Sequence, residues 1–106
     1  MRLCVTAQGN NLDASIDLSF GRCWYFIVVD SETLEFEAIE NPNMRTKGGA
    51  GTNSGQLIAN KGVEVLLTGN VGPNASRVLA SAGVKVVTGI TGSVREAVAA
   101  YKRGTS

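Results

Sequence analysis

The strongest constraint on the fold is a change of pattern near residue 50. Before it, the aromatic and β-branched run 24–29 is typical of a central strand, and residues 34–40 alternate apolar with acidic side chains. Period-two alternation marks a strand with one solvated face, and the polar turn at 30–33 predicts an antiparallel hairpin. After residue 50, helical and strand patterns alternate. The chain is therefore expected to form a mixed sheet.

The remaining strands and the helices follow from shorter signals. Three apolar segments have the composition of buried strands: residues 3–5, 63–67 and 84–87. Three segments carry helix start signals. Asn53 and Gln56 can form a capping box at the start of a helix that runs to Lys61. Gly72-Pro73 opens a second helix, and a capping box of Ser93 and Glu96 opens a third. The order β-β-β-α-β-α-β-α predicts an α/β fold, a five-stranded mixed sheet covered by three helices. With 106 residues, we expect one domain over 1–106.

Composition limits the chemistry. The chain has no histidine, which removes Ser-His-Asp and Cys-His nucleophiles and imidazole metal sites. Its two cysteines fit neither a disulfide framework nor a paired-cysteine zinc site. Cys4 is interpreted as a buried structural thiol. Cys23 follows Arg22, which could lower its pKa, but core packing is favoured, so Cys23 is only a weak candidate nucleophile or metal ligand.

Charge is distributed unevenly along the chain. Residues 1–40 hold two basic and seven acidic side chains, a net charge of −5, while residues 41–106 hold eight basic and two acidic side chains, a net charge of +6. Either the second half is suited to an anion, or the two halves fold together and their charges interleave. The longest apolar run, 23–29, is too short to span a membrane, and residues 1–8 lack a secretory pattern. We expect a cytoplasmic protein without membrane or nucleic-acid partners.

Three glycine-bearing or polar loops are expected to meet beyond the carboxyl ends of the parallel strands, where strand order reverses: residues 6–11, 68–74 and 88–92. The last two run directly into predicted helix N-termini. Glycine allows close backbone approach, and the N–H groups and dipole of a helix N-terminus favour negative charge. Two interpretations of these loops remain: they form an anion-binding site, or their glycines only allow tight turns. Neither loop matches a P-loop or a dinucleotide fingerprint.

Five motifs occur together in order and spacing: Phe20-Gly21-Arg22-x-x-Tyr25-Phe26, Glu40-Asn41-Pro42, Gly48-Gly49-Ala50-Gly51, residues 69–75 and residues 89–97. Over almost the whole chain they resemble the dinitrogenase iron–molybdenum cofactor biosynthesis family. The resemblance implies a ribonuclease-H-like fold and a non-enzymatic protein that binds or carries metal–sulfur clusters. The chain is also similar to the orange-protein branch in sulfate-reducing bacteria, which implies a molybdenum–copper sulfide cluster held without ordinary covalent ligation.

One position departs from the family pattern. Many members have a histidine just before the Phe-Gly-Arg motif, as a candidate metal ligand, and this chain has Ser19 there. Because of this difference, the resemblance is weaker evidence that the protein carries iron–molybdenum cofactor precursors. The difference leaves the orange-protein reading intact, because N–H donors and basic side chains can hold an anionic thiometallate. A metal-free protein-interaction module remains an alternative.

The predicted site is a corner between two helix starts, lined on one side by Asn70, Gly72, Asn74 and Ser76 and on the other by Thr91, Gly92 and Ser93. The family motif adds Ser19, Phe20 and Arg22 at its border. Arg45 and Lys47, on the glycine-rich loop, are expected to neutralise the cluster. No direct metal ligand is assigned, and a pairing of Arg22 with Asp17 remains an alternative role for that arginine.

Overall fold

The computed structural model describes residues 1–42 and 50–104. Within these ranges it has a five-stranded sheet and three helices: β1 (Arg2–Ala7), β2 (Tyr25–Asp30), β3 (Phe36–Glu40), α1 (Ala50–Asn60), β4 (Val65–Leu67), α2 (Pro73–Ser81), β5 (Lys85–Val87) and α3 (Val94–Lys102). The element order and the α/β class predicted from the sequence are confirmed.

The strand order in the sheet is β3-β2-β1-β4-β5. β2 runs antiparallel to both β1 and β3, whereas β4 runs parallel to β1 and β5 runs parallel to β4. The chain therefore extends the sheet to one side of β1 and then returns to build the other side. The carboxyl ends of β1, β4 and β5 lie at one edge, where a switch of this kind leaves room for a ligand.

Side chains alternate between two core clusters, one on each face of the sheet. Leu3 and Val5 of β1 pack with Val94 and Val98, so α3 covers one face. Cys4, between them, belongs to the other cluster, with residues of α1 and α2 such as Ile58 and Leu79. Strand alternation sets this division, because successive side chains of a strand point to opposite faces.

Helix α1 begins before the predicted capping box, so the prediction that Asn53 caps it is wrong. Packing against α2 contributes to its position. Ser54 and Ile58 are buried, and a Cβ placed on Gly55 would lie 3.0 Å from Cγ1 of Val78 in α2. Contact with α2 therefore stabilises a helix whose glycines are poor helix formers.

The other helix ends and the hairpin follow their sequence signals. Gly72 is the N-cap of α2 with proline in its first turn, and Ser93 with Glu96 forms the capping box of α3. In the β2–β3 turn, hydrogen bonds from the backbone N–H groups of Thr33 and Glu32 lower the pKa of the Asp30 carboxyl. Strands β4 and β5 are shorter than predicted, although Val63 and Val84 are buried in the core just before them. The Val84 N–H donates to the carbonyl oxygen of Leu79 in α2 and not to a neighbouring strand.

Ion pairs connect the acidic and basic halves of the chain. Within the described ranges the pairs are Lys61–Glu37 at 3.4 Å, Arg95–Asp13 at 3.0 Å and Lys102–Glu32 at 4.0 Å. Each joins a cation of the second half to a carboxylate of the first half. This favours the interleaved interpretation of the charge asymmetry for these six side chains. In the described part of the chain no helix has the length and apolarity needed to cross a membrane.

Candidate functional site

A cavity of about 590 Å³ lies beyond the carboxyl ends of β4 and β5, within the size range of small-molecule and cofactor sites. Three chain segments form its walls, one after β1, one after β4 and one after β5. Its lining residues are Leu18, Ser19, Phe20, Gly21, Gly69, Asn70, Gly72, Gly89, Ile90 and Thr91. We call this cavity the switch-point pocket, and residues 18–21 its first wall.

The first wall is tied to the strand ends by buried hydroxyl groups. The Thr6 hydroxyl donates to the carbonyl oxygen of Asp17 at 2.7 Å and lies 2.8 Å from the Thr68 hydroxyl. Because the single Thr6 proton goes to Asp17, Thr68 must donate to Thr6. The Asp17 N–H also donates to the carbonyl oxygen of Thr6 at 2.9 Å. The ends of β1 and β4 therefore hold the chain directly before the first wall.

Direct contacts join the first wall to the loop after β4. The Phe20 N–H donates to the carbonyl oxygen of Asn70 at 3.2 Å, and Ser19 forms a parallel bridge with Asn70. A Cβ on Gly69 would lie 2.7 Å from Cα of Leu18 and 2.8 Å from its carbonyl oxygen, closer than real Cβ contacts. This approach requires glycine at position 69.

The third segment joins the second in the same way. The N–H groups of Gly89 and Ile90 donate to the carbonyl oxygens of Gly69 at 3.0 Å and Thr68 at 3.1 Å. Gly89 has a φ of 74°, a backbone conformation that favours glycine. All three walls of the switch-point pocket are thus hydrogen-bonded to one another or to the strand ends.

The lining is uncharged and mixes apolar surface with neutral polar groups. Leu18, Phe20 and Ile90 supply carbon surface, and Ser19, Asn70 and Thr91 supply hydroxyl and amide groups. Gly72 lines the pocket and is also the N-cap of α2, where no side chain makes a capping hydrogen bond. The positive end of the α2 dipole therefore lies at the pocket.

The N-terminus of α3 differs from that of α2, because its N–H groups are occupied. The Val94 and Arg95 N–H groups donate to the carbonyl oxygens of Ala14 at 3.0 Å and Leu12 at 2.8 Å, and the Glu96 N–H donates to the Ser93 hydroxyl at 3.1 Å. Residues 6–11, which were expected at the site, are absent from the pocket lining. Residues 12–14 instead cap α3, and the first wall takes the expected place.

The predicted site residues fall into four groups. Ser19, Phe20, Asn70, Gly72 and Thr91 line the switch-point pocket together. Asn74 and Ser76 are exposed in the first turns of α2, and Gly92 and Ser93 build the start of α3, so these four lie off the lining. Arg22 is exposed and follows the lining residue Gly21. Arg45 and Lys47 lie outside the described residues.

Five lining residues were missed by sequence reasoning: Leu18, Gly21, Gly69, Gly89 and Ile90. The last three lie in the loops 68–74 and 88–92, which were predicted to border the site, and Gly21 lies inside the Phe-Gly-Arg motif. Leu18 had no local signal, because its place depends on the contact between the first wall and Gly69.

Direct metal ligation by side chains has little support among the described residues. Cys4 and Cys23 are free, fully buried thiols in the α1–α2 side of the core, and burial raises the pKa of both well above the usual range. A thiol with a raised pKa stays protonated and is a poor metal ligand. Within 1–42 and 50–104, no three His, Cys, Asp or Glu side chains come together.

These features define an α/β fold with an uncharged, ligand-sized pocket at its topological switch point. The chain belongs to the dinitrogenase iron–molybdenum cofactor family, whose sequence profile matches residues 1–104. The family resemblance predicted from the five motifs is therefore confirmed.

Solved structures and a curated relative support the same placement. The apo form of the orange protein from Desulfovibrio gigas has a TM-score of 0.94 and 42% identity, covering 98% of this chain and 88% of that one. A putative NifB protein from Thermotoga has a TM-score of 0.84 and 36% identity, covering 98% and 89%. An uncharacterized protein of Methanocaldococcus jannaschii is 34% identical over 107 residues, 98% of this chain and 87% of that protein.

Proposed function

We propose that this protein binds an anionic metal–sulfur cluster non-covalently in the switch-point pocket, and that the cluster is a molybdenum–copper sulfide. The observation that carries the proposal is the uncharged pocket of about 590 Å³ at the uncapped start of α2. Membership of a cofactor family and similarity to the orange protein support a cluster as the ligand class.

The lining suits a large, soft anion. In a thiometallate the negative charge is spread over several polarisable sulfur atoms, so each sulfur needs few hydrogen bonds. Leu18, Phe20 and Ile90 offer dispersion contacts to sulfur. The hydroxyl and amide groups of the lining and the N-terminus of α2 supply donors and positive potential. A small, strongly hydrated oxoanion would lose more hydration than these neutral groups can replace.

Cationic side chains complete the proposal. Arg22 is exposed beside the lining residue Gly21, and its backbone N–H donates to the Ser19 hydroxyl at 3.3 Å. A guanidinium at this position can partly neutralise a bound anion while its own charge remains hydrated. Arg45 and Lys47 keep the neutralising role that the sequence predicts for them.

The mode of binding that we propose involves no protein–metal bond and no catalysis. The two thiols are buried in the core and burial raises the pKa of both, so in our proposal the cluster keeps its own sulfide ligands. An iron–molybdenum cofactor precursor is the second candidate cargo, favoured by the family that the profile describes. The ribonuclease-H-like assignment, the cytoplasmic location and the absence of membrane or nucleic-acid partners stay predictions.

Elemental analysis of the natively purified protein distinguishes these candidates. Molybdenum and copper together, with sulfide and a charge-transfer absorption band, are the expected result. Finding iron together with molybdenum would indicate that the bound cluster is an iron–molybdenum cofactor precursor instead. Colourless, metal-free protein that also fails to take up tetrathiomolybdate and Cu(I) would favour the interaction module instead.

Arginine variants test the role of the cation. Arg22→Ala is expected to weaken uptake of tetrathiomolybdate and Cu(I) by roughly two- to fivefold, the range of an exposed charge pair. Arg77→Ala is the matched control, because it removes the same charge from an exposed position of α2 outside the pocket lining. If the two variants take up the ligands equally well, Arg22 has no specific role in binding.

A further inference from the structure

The Asn41 side chain holds the turn that carries Arg22. Asn41 is buried, and its Nδ2 donates to the carbonyl oxygen of Gly21 at 3.1 Å and to that of Cys23 at 2.9 Å. These two carbonyl groups flank Arg22 directly in sequence. One side-chain amide therefore fixes the backbone on both sides of a single exposed arginine.

The chemistry of the contact accounts for asparagine at this position. A carboxamide NH₂ has two hydrogens to donate, here to the carbonyl oxygens of Gly21 and Cys23, and Sγ of Cys23 lies 3.9 Å from the same Nδ2 as a weaker acceptor. The reversed amide would place Oδ1 against two carbonyl oxygens, so the donor geometry fixes its orientation. The Asn41 N–H also donates to the carbonyl oxygen of Trp24 at 3.0 Å. Pro42 follows and restricts Asn41 to extended backbone conformations.

The turn is also held from the pocket side. The Arg22 N–H donates to the hydroxyl of Ser19, which lines the switch-point pocket. The Ser19 N–H donates to Oδ1 of Asp17 at 3.1 Å, next to the first wall. Arg22 thus sits between the pocket wall on one side and the Asn41 amide on the other.

We propose that Asn41 is the positioning residue for Arg22, so that the Glu40-Asn41-Pro42 motif serves the site without touching the ligand. The inference rests on the proposed function for its consequence, but its geometry is independent of any ligand. A long arginine on an ordered backbone samples a smaller volume beside the pocket than one on a frayed turn. Preorganisation of this kind lowers the entropy that ligand binding must remove.

The first test needs no ligand. In Asn41→Leu, which has a similar volume but no donor, the backbone amides of Arg22 and Cys23 should lose order in ¹⁵N relaxation and exchange faster with solvent. Amides of β5 and α3 should be unchanged. Val84→Ala, a core truncation outside the pocket lining, controls for general loss of stability. Unchanged amides at 22 and 23 in Asn41→Leu would overturn the inference.

The second test is a double-mutant cycle read by titration with tetrathiomolybdate and Cu(I). Asn41→Leu should weaken uptake by no more than Arg22→Ala, roughly two- to fivefold. The combination Arg22→Ala with Asn41→Leu should be no weaker than Arg22→Ala alone, since Asn41 acts through that arginine. Additive losses would reduce Asn41 to a structural residue. If Asn41→Leu does not fold, Asn41→Ala serves in both tests.

The two tests separate this inference from the proposed function. Should the wild-type protein take up no thiomolybdate, the proposed function fails, and the amide measurements alone decide whether Asn41 orders the turn. Should uptake occur with additive losses, the proposed function stands and the positioning role fails.

Discussion

Replacing Gly69 by alanine should push the first wall out of place. The added Cβ would lie 2.7 Å from Cα of Leu18, and ordinary van der Waals contact begins near 3.4 Å. The wall must therefore move by about 0.7 Å or more, although the Phe20–Asn70 and Ser19–Asn70 contacts hold it. Gly69 has no positive φ, so the cost is steric and not conformational. We expect a loss of about 1–3 kcal/mol in the free energy of unfolding.

Urea denaturation with an unchanged m-value measures this loss, and amide shifts at residues 18–21 locate it. Gly72→Ala is the matched control, since it lines the same pocket but a Cβ there meets nothing within 4 Å. Its small effects on the unfolded chain and on the N-cap oppose each other, leaving a change within about 0.5 kcal/mol. Equal stability of the two variants, with unshifted amides at 18–21, would refute the described contact between Leu18 and Gly69.

Three further predictions concern the capping box, the hairpin turn and the thiols. Ser93→Ala should lower the free energy of unfolding by about 1 kcal/mol in urea denaturation, whereas Ser81→Ala, exposed at the end of α2, should not. The Asp30 pKa is lowered in the folded protein from 3.8, so its stabilising effect is present above that pH and is lost as pH falls through the folded value. As the pH is lowered into the acid range, the free energy of unfolding of Asp30→Asn should therefore fall less steeply than that of the wild type. Equal slopes for the two proteins would contradict this. Cys4 and Cys23, buried with raised pKa values, should resist a thiol reagent at about pH 8 until urea unfolds the chain, and rapid labelling of either would contradict their burial.

The fold was accessible from the sequence because its signals are local. The polar turn of the hairpin, Gly72-Pro73 and the Ser93 capping box each act within a few residues, and each appears in the structure. The period-two segment at 34–40 does form the strand β3, but its apolar face is only partly covered, because Phe36 is exposed. The start of α1 was missed because a non-local contact, Gly55 against Val78, positions a helix that contains poor helix formers. The single-domain organisation over 1–106 stays a prediction.

The site was only partly accessible for the same reason. The sequence presents two glycine-bearing loops before helices as equal candidates. In the structure the start of α2 borders the pocket, whereas Leu12 and Ala14, far away in sequence, occupy the N–H groups of α3. Leu18 reaches the pocket through long-range contacts that no local pattern encodes.

The central claim is that the switch-point pocket binds a thiometallate. The most direct measurement is an amide-shift titration of the apo protein with tetrathiomolybdate and Cu(I). The account predicts saturable shifts concentrated at residues 18–22, 69–72 and 89–91. Shifts confined to the acidic hairpin at 30–40, or no saturable shift at all, would contradict it.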